Sequence, residues 1–241
     1  MQKVLAAGLL AMSFAPLAQA ADLGGSRAPV AAVVAAPAFS WTGAYAGVQF
    51  GYGWLGGRST FVDPFGTVGT ILPVRSNGVL GGVHLGYNHQ FGVAVLGAEA
   101  DVELSGVRGT VTAFGPLAAG TGVFDQRWQA SLRARAGVAV DKALLYVTGG
   151  VAFTDFGLGG GPAGFPVRYG ASRVGWTVGT GVEYALAPNW TARAEYRYSD
   201  YGTVARDIGG IVQRTSLHAH SVRLGVSYRF STDPSAVVAR Y

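Results

Sequence analysis

The stretch Leu217–Phe230, LHAHSVRLGVSYRF, decides the fold. Read at period two, one face carries His220, Val222, Leu224, Val226, Tyr228 and Phe230. The other carries Ser221, Arg223, Gly225, Ser227 and Arg229. Successive side chains of a strand point to opposite faces, so this is a strand with one apolar face and one small, charged face. A soluble strand reads the same way, with its apolar face in a core. The rest of the chain has to say where that face points.

Working back from it, the same alternation recurs in seven more segments. Gly43–Trp54 sets Val48, Phe50, Tyr52 and Trp54 against Gly47, Gln49, Gly51 and Gly53. Asn77–Asn88 sets Val79, Val83, Leu85 and Tyr87 against Leu80, Gly82, His84 and Gly86. Val93–Leu104 sets Leu96, Ala98, Ala100, Val102 and Leu104 against Glu99, Asp101 and Glu103. Arg127–Val140 sets Trp128, Ala130, Leu132, Ala134, Ala136 and Val138 against Gln129, Ser131, Arg133 and Arg135. Leu144–Thr154 alternates weakly, and its faces stay unassigned. Arg173–Tyr184 opposes Val174, Trp176, Val178, Val182 and Tyr184 to Arg173, Thr177, Gly179, Gly181 and Glu183. Trp190–Tyr201 opposes Ala192, Ala194, Tyr196 and Tyr198 to Arg193, Glu195 and Arg197.

The connections alternate too. Leu55–Ser76, Ser105–Gln126, Asp155–Ser172 and Gly202–Ser216 read as long loops; Asn88–Gly92, Asp141–Ala143 and Ala185–Asn189 read as short turns. Short turns at one end and long loops at the other mark an outer-membrane up-and-down barrel. None of the ten prolines falls inside a proposed strand, as ladder hydrogen bonding requires.

The remainder of the chain agrees with export. Residues 1–20 read as a signal peptide: Lys3, an apolar Val4–Phe14, and Ala18-Gln19-Ala20 as a cleavage site. Residues 21–40 are rich in Ala, Pro, Gly and Val without a sustained period and read as a periplasmic linker. The barrel spans 41–230, and 231–241 is a C-terminal tail in which Asp233-Pro234 ends the strand. After the leader no apolar run reaches the ~18 residues of a membrane helix. The chain has no cysteine, which excludes disulfides and thiol chemistry, and 38 glycines disfavour helices. The net charge of +5 does not point to nucleic acid, because the basic residues alternate along strands.

Three features turn the apolar faces toward lipid rather than a soluble core, the alternative being a lipocalin-like secreted barrel. The apolar faces run for about ten residues, the span of a tilted membrane strand. The opposite faces mix glycine with both charge signs, which suits a narrow filled lumen. Aromatic residues gather at strand ends as two interfacial girdles: Trp41, Tyr45, Phe91, Tyr184, Trp190, Tyr228 and Phe230 at the short turns, and Trp54, Trp128, Tyr198 and Tyr201 toward the loops.

Several motifs carry a family resemblance. FSWTGAYAG (39–47), GWTVGTGVEY (175–184), Asn189-Trp190 to Glu195-Tyr196 and the final VRLGVSYRF (222–230) resemble the small major outer-membrane proteins of alphaproteobacteria. The resemblance covers essentially all of Phe39–Phe230. It implies an all-β, eight-stranded antiparallel, OmpA-like transmembrane barrel of the cell outer membrane, of the kind called porin-like protein or surface antigen. It also implies that Val222, Leu224, Val226, Tyr228 and Phe230 act as the signal read by the barrel-assembly machinery. In that family the aromatic is the last residue; here Ser231–Tyr241 follows, either as a periplasmic appendage or as a second aromatic terminus at Tyr241.

The charged face is the candidate site. Glu99, Asp101 and Glu103 resemble paired acid–base carboxylates, but Arg133 and Arg135 on the next strand sit at matching heights. With Arg173, Glu183, Arg193, Glu195, Arg197 and Arg223 they form an expected lumen charge network, because an uncompensated buried charge costs several kcal/mol. Should a pore exist, the surplus of arginines in this set implies anion preference. No enzyme is expected: His220 and Ser221 are neighbours on opposite faces and cannot cooperate as a hydrolytic pair. His218 and His220 lack a third ligand, so no metal is expected, and neither Gly159–Gly161 nor Gly51–Gly53 sits between a strand and a helix as a phosphate loop must. No cofactor is expected, and the oligomeric state stays open. The expected function is structural, with narrow porin-like transport and loop-mediated ligand or host-surface binding as alternatives. The expected partners are outer-membrane lipid and lipopolysaccharide, whose phosphates suit Arg58, Arg75, Arg108, Arg168, Arg206 and Arg214 in or beside the loops.

Overall fold

The computed structural model describes residues 39–62, 64–66, 68–113, 120–160, 167–208 and 210–230. The proposed leader, most of the linker and the tail lie outside them. Among the described residues nine strands are present: β1 (Gly43–Val62), β2 (Val68–Phe91), β3 (Ala94–Ser105), β4 (Arg108–Ala113), β5 (Gly120–Val140), β6 (Ala143–Gly160), β7 (Val167–Ala187), β8 (Trp190–Ile208) and β9 (Ile211–Phe230). All pairings are antiparallel, and β9 closes onto β1. β3 and β4 both pair with β2 and β5 and form a single barrel strand, interrupted at Gly106-Val107. The barrel is therefore closed and eight-stranded.

The register sets its dimensions. Tyr45 pairs with Gly86, and the line continues through Glu99, Arg133, Gly150, Thr177, Ser199 and Ala219. It returns to β1 at Leu55, ten residues further along. With ordinary strand spacing and rise, that stagger over eight strands gives a tilt of about 40° and a backbone radius of about 8 Å. Such an interior is just wide enough for side chains to fill.

The barrel is inside out. Outward-pointing Val48, Phe50, Leu85, Leu104, Leu132 and Leu224 are exposed, whereas Glu99, Arg133, Arg135, Arg193 and Arg223 are buried. A continuous exposed apolar belt has no place on a soluble barrel and needs lipid to cover it. On β1 the belt runs from Ala44 to Trp54, a height of about 25 Å at that tilt, matching the apolar band of an outer-membrane barrel.

Four readings from the sequence need correction. The long loops are largely strand: β1 and β2 stay paired to Val62–Val68, β8 and β9 to Ile208–Ile211, and β6 and β7 to Gly160–Val167. Backbone pairing outlasts the apolar alternation once the hairpins leave the lipid. Pro73 accordingly lies in β2, opposite Arg58, where the other edge of β2 is paired only from Asn77 on, so the missing N–H breaks no ladder. Trp41, Tyr45 and Tyr201 do not join the girdles; they are buried. Finally, β6 does have definite faces. Leu144, Tyr146, Thr148, Ala152 and Thr154 point in, and Leu145, Val147, Val151 and Phe153 point out. Its alternation is faint because both faces are apolar at the ends.

Above the belt the barrel parts into two four-stranded sheets. β8, β9, β1 and β2 stay together, as do β4, β5, β6 and β7. β2 and β4 meet only at Asn77–Arg108, and the β7–β8 pairing stops at Trp176–Asp200.

Candidate functional site: the barrel lumen

The lumen is filled in three layers. At the short-turn end Trp41, Val95, Leu144 and Tyr146 pack together, with Phe39 and Ala139 against them. Toward the hairpins Leu55, Leu80, Val107, Ala152, Phe156, Tyr201 and Leu217 form a second apolar cluster. Between them lies the charge layer.

In that layer Glu99, Asp101, Glu103, Glu183 and Glu195 meet Arg133, Arg135, Arg193, Arg197 and Arg223, five of each sign. Arg133 reaches Glu195 at 2.8 Å and Asp101 at 3.2 Å, and it also pairs with Glu99. Arg197 bridges Asp101 at 3.0 Å and Glu195 at 2.8 Å. Arg223 grips Glu103 with two donors, Nε and Nη2, each at 2.9 Å. Arg193 binds Glu99, and Arg135 binds Glu183. These side chains are almost wholly out of water, where single charges are costly and a closed set of mutual pairs is tolerated.

Neutral groups complete the layer; the alternation sets Gln49 and His84 on this face, whereas Tyr45 and Tyr146 are not expected in it. The Tyr45 hydroxyl donates to Glu99 at 2.8 Å, the Tyr146 hydroxyl to Glu195 at 3.1 Å, and Gln49 Nε2 to Glu103 at 2.9 Å. Arg135 lies 3.7 Å over the Tyr146 ring. His84 faces the lumen and meets Ser227 at 2.8 Å. Tyr45 shares the parity of Gly47 and Gln49, a signal that places it inside; its aromatic character pointed to the girdle instead.

Not every expected member joins. Arg173 is half-buried at the hairpin side and takes part in no ion pair among the described residues. With Arg173 outside it, the layer loses the arginine surplus, and with it the basis for anion preference. Arg229 sits at the short-turn rim, where it donates to the carbonyls of Pro188 at 3.0 Å and Thr42 at 3.4 Å and covers the Phe39 ring.

Space is scarce. Under the outer cluster a void of about 10 Å³ remains, bordered by Leu80, Val107, Gln126 and Gln129, roughly one water's room. A cleft of about 780 Å³ opens at the short-turn rim by Phe39, Gln90, Lys142 and Tyr184, and no member of the charge layer lines it. On the outer surface His218 and His220 share a face, with His220 Nδ1 2.7 Å from the Tyr196 hydroxyl. Among the described residues no three His, Cys, Asp or Glu side chains converge as metal ligands. Val222, Leu224, Val226, Tyr228 and Phe230 all lie on the outward face of β9, which ends at Phe230 opposite Ala44.

The chain is similar to known outer-membrane proteins. The chain is 37% identical over 248 residues to the 31 kDa outer-membrane immunogenic protein of Brucella melitensis, covering 95% of this chain and all of that one. It is 33% identical over 228 residues to the 25 kDa outer-membrane immunogenic protein of Brucella abortus, covering 94% and 96%. Among solved structures the outer membrane protease OmpT of Escherichia coli covers 81% of this chain and 99% of its own at 8% identity, with a TM-score of 0.47. The family described as outer membrane protein beta-barrel domain matches residues 5–230. With its apolar belt, closed eight-stranded lumen and these relatives, the chain belongs to that family and resides in the outer membrane of a Gram-negative cell.

Proposed function

We propose that this protein is a sealed structural element of the outer membrane, neither a diffusion channel nor an enzyme. One observation carries the reading: the paired charge layer is bracketed by two apolar stoppers, Trp41–Val95–Leu144–Tyr146 below and Leu55–Leu80–Phe156–Tyr201 above. An ion crossing would have to shed its water twice and break the pairs between. The lumen carboxylates are also occupied by guanidinium partners, which leaves no free acid and base within the charge layer. Planar-bilayer recording of the purified chain tests this, with no stable steps expected. A long-lived open pore overturns it and restores the porin-like reading.

The hairpins favour a second role, presentation of contact surfaces outside the cell. β1 alone has 20 residues, about twice what the bilayer needs, so half of it stands beyond the lipid. That the relatives are named immunogenic proteins supports this role. Protease shaving of intact cells should release peptides from the outer parts of the β1–β2 and β8–β9 hairpins; their complete protection would remove it. Insertion itself depends on the outward face of β9 as the assembly signal. Phe230→Ser should lower the membrane-inserted fraction, and removal of 231–241 should not; the reverse result places the signal at Tyr241.

A further inference from the structure

We propose that the outward face of β9, β1, β2 and β4 carries a docking arc for phosphorylated glycolipid of the outer leaflet, built from Arg214, Arg58, Arg75 and Arg108. The register places them. Arg214 is opposite Thr60, Arg75 opposite Gly56, and Arg108 opposite Asn77, itself opposite Trp54. From β9 through β1 and β2 to β4 each arginine therefore steps down two residues per strand.

That descent nearly cancels the barrel's stagger. The register climbs ten residues over eight strands, so a level path must descend one and a quarter residues per strand. The four arginines thus stay within about 6 Å of one height at a tilt of about 40°. Neighbours in the arc are diagonal cross-strand pairs, with Cα atoms about 7–8 Å apart. Two such guanidinium groups can hold a single phosphate group.

Their height and surroundings select the ligand. Arg58, Arg75 and Arg108 lie four residues beyond Trp54, Val79 and Leu104, the last exposed apolar residues of their strands, and Arg214 lies beyond Val222 across Ser216, His218 and His220, so the arc lies just above the lipid-facing belt. All four side chains are exposed, and none takes part in an ion pair among the described residues. The nearest acid by register is Asp125, opposite Arg108. Among the described residues of the other half, Asp125, Asp155 and Asp200 follow the belt on β5, β6 and β8, and Asp155 is held by Arg127. Arginine binds phosphate with paired charge-assisted hydrogen bonds, and the apolar belt beneath accommodates the acyl chains of the same molecule. The proposal does not depend on whether the lumen conducts.

The test titrates the detergent-solubilised full chain with bis-phosphorylated lipid A and with the same glycolipid lacking phosphate, read by native mass spectrometry. The wild-type chain should favour the phosphorylated form by about tenfold or more. The variant Arg58→Gln, Arg75→Gln, Arg108→Gln, Arg214→Gln should lose that preference, while Lys142→Gln, at the opposite rim, keeps it. Heat-dependent gel mobility reports folding of each variant. Should the fourfold variant not fold, the pair Arg58→Gln, Arg75→Gln is read for the same loss. Equal binding of both lipids by the wild-type chain overturns the proposal, as does a preference retained in the variant. Displacement of the lipid by inorganic phosphate alone at millimolar concentration would mark an unspecific anion patch and overturn it too.

Discussion

Glu99 is where the lumen is most sensitive to single atoms. It meets Arg133, Arg193 and the Tyr45 hydroxyl at once. Glu99→Gln leaves two buried guanidinium groups short of a counter-charge, which costs about 3–5 kcal/mol. Tyr45→Phe removes only a neutral donor and should cost about 1–3 kcal/mol. Urea unfolding in micelles, followed by gel mobility, orders the two; equal effects would mean that the layer is not organised by charge. Gly150 is equally constrained, by space. A Cβ there would lie 2.1 Å from the Leu132 carbonyl oxygen and 2.7 Å from the Arg133 Cα, backbone that cannot step aside. Gly150→Val should abolish the folded band, whereas Gly149→Val, on the open outward face with nothing nearer than 3.9 Å, should keep it. At this scale the charged members were legible, because alternation assigns each to a face. The residues that satisfy them were not: which tyrosine or glutamine reaches which carboxylate depends on strands far apart in sequence, as with Tyr45 and Glu99.

The strands were legible where lipid imposes alternation and lost where it does not. The apolar periodicity of β1 stops at Trp54, yet the strand pairs on to Val62, because outside the membrane the backbone ladder alone sustains it. The break at Gly106-Val107 left no period-two signature either; Val107 turns inward there and joins the outer stopper. The hairpin above the belt should therefore be dispensable for folding. Replacing Thr60–Ile71 by an Asn-Gly turn, flanked by the pair Ser59 and Leu72, keeps Leu55, Leu80 and the whole charge layer, and the shortened chain should still show heat-modifiable mobility. Failure to fold would show that the extended β1–β2 hairpin is needed for closure.

For the molecule as a whole the bilayer acts as the solvent that decides the face. Leu132 lies mid-way along the outward face of β5 and is 60% exposed. Leu132→Arg should cost about 2–4 kcal/mol in lipid vesicles, as an arginine near the bilayer midplane does. A negligible cost would mean that this face does not meet hydrocarbon. The sequence by itself determined an all-β chain, the two faces of seven of its eight barrel strands, the count of barrel strands and the membrane setting, because period-two alternation and membrane length are local properties. Only the tertiary structure decided the ten-residue stagger, and with it which side chains share a height. That stagger closes the lumen with two stoppers, leaves Arg173 out of the charge layer, and levels four arginines from distant segments into one arc. Heights around a barrel depend on the summed register of every strand pair, and no single segment contains that sum.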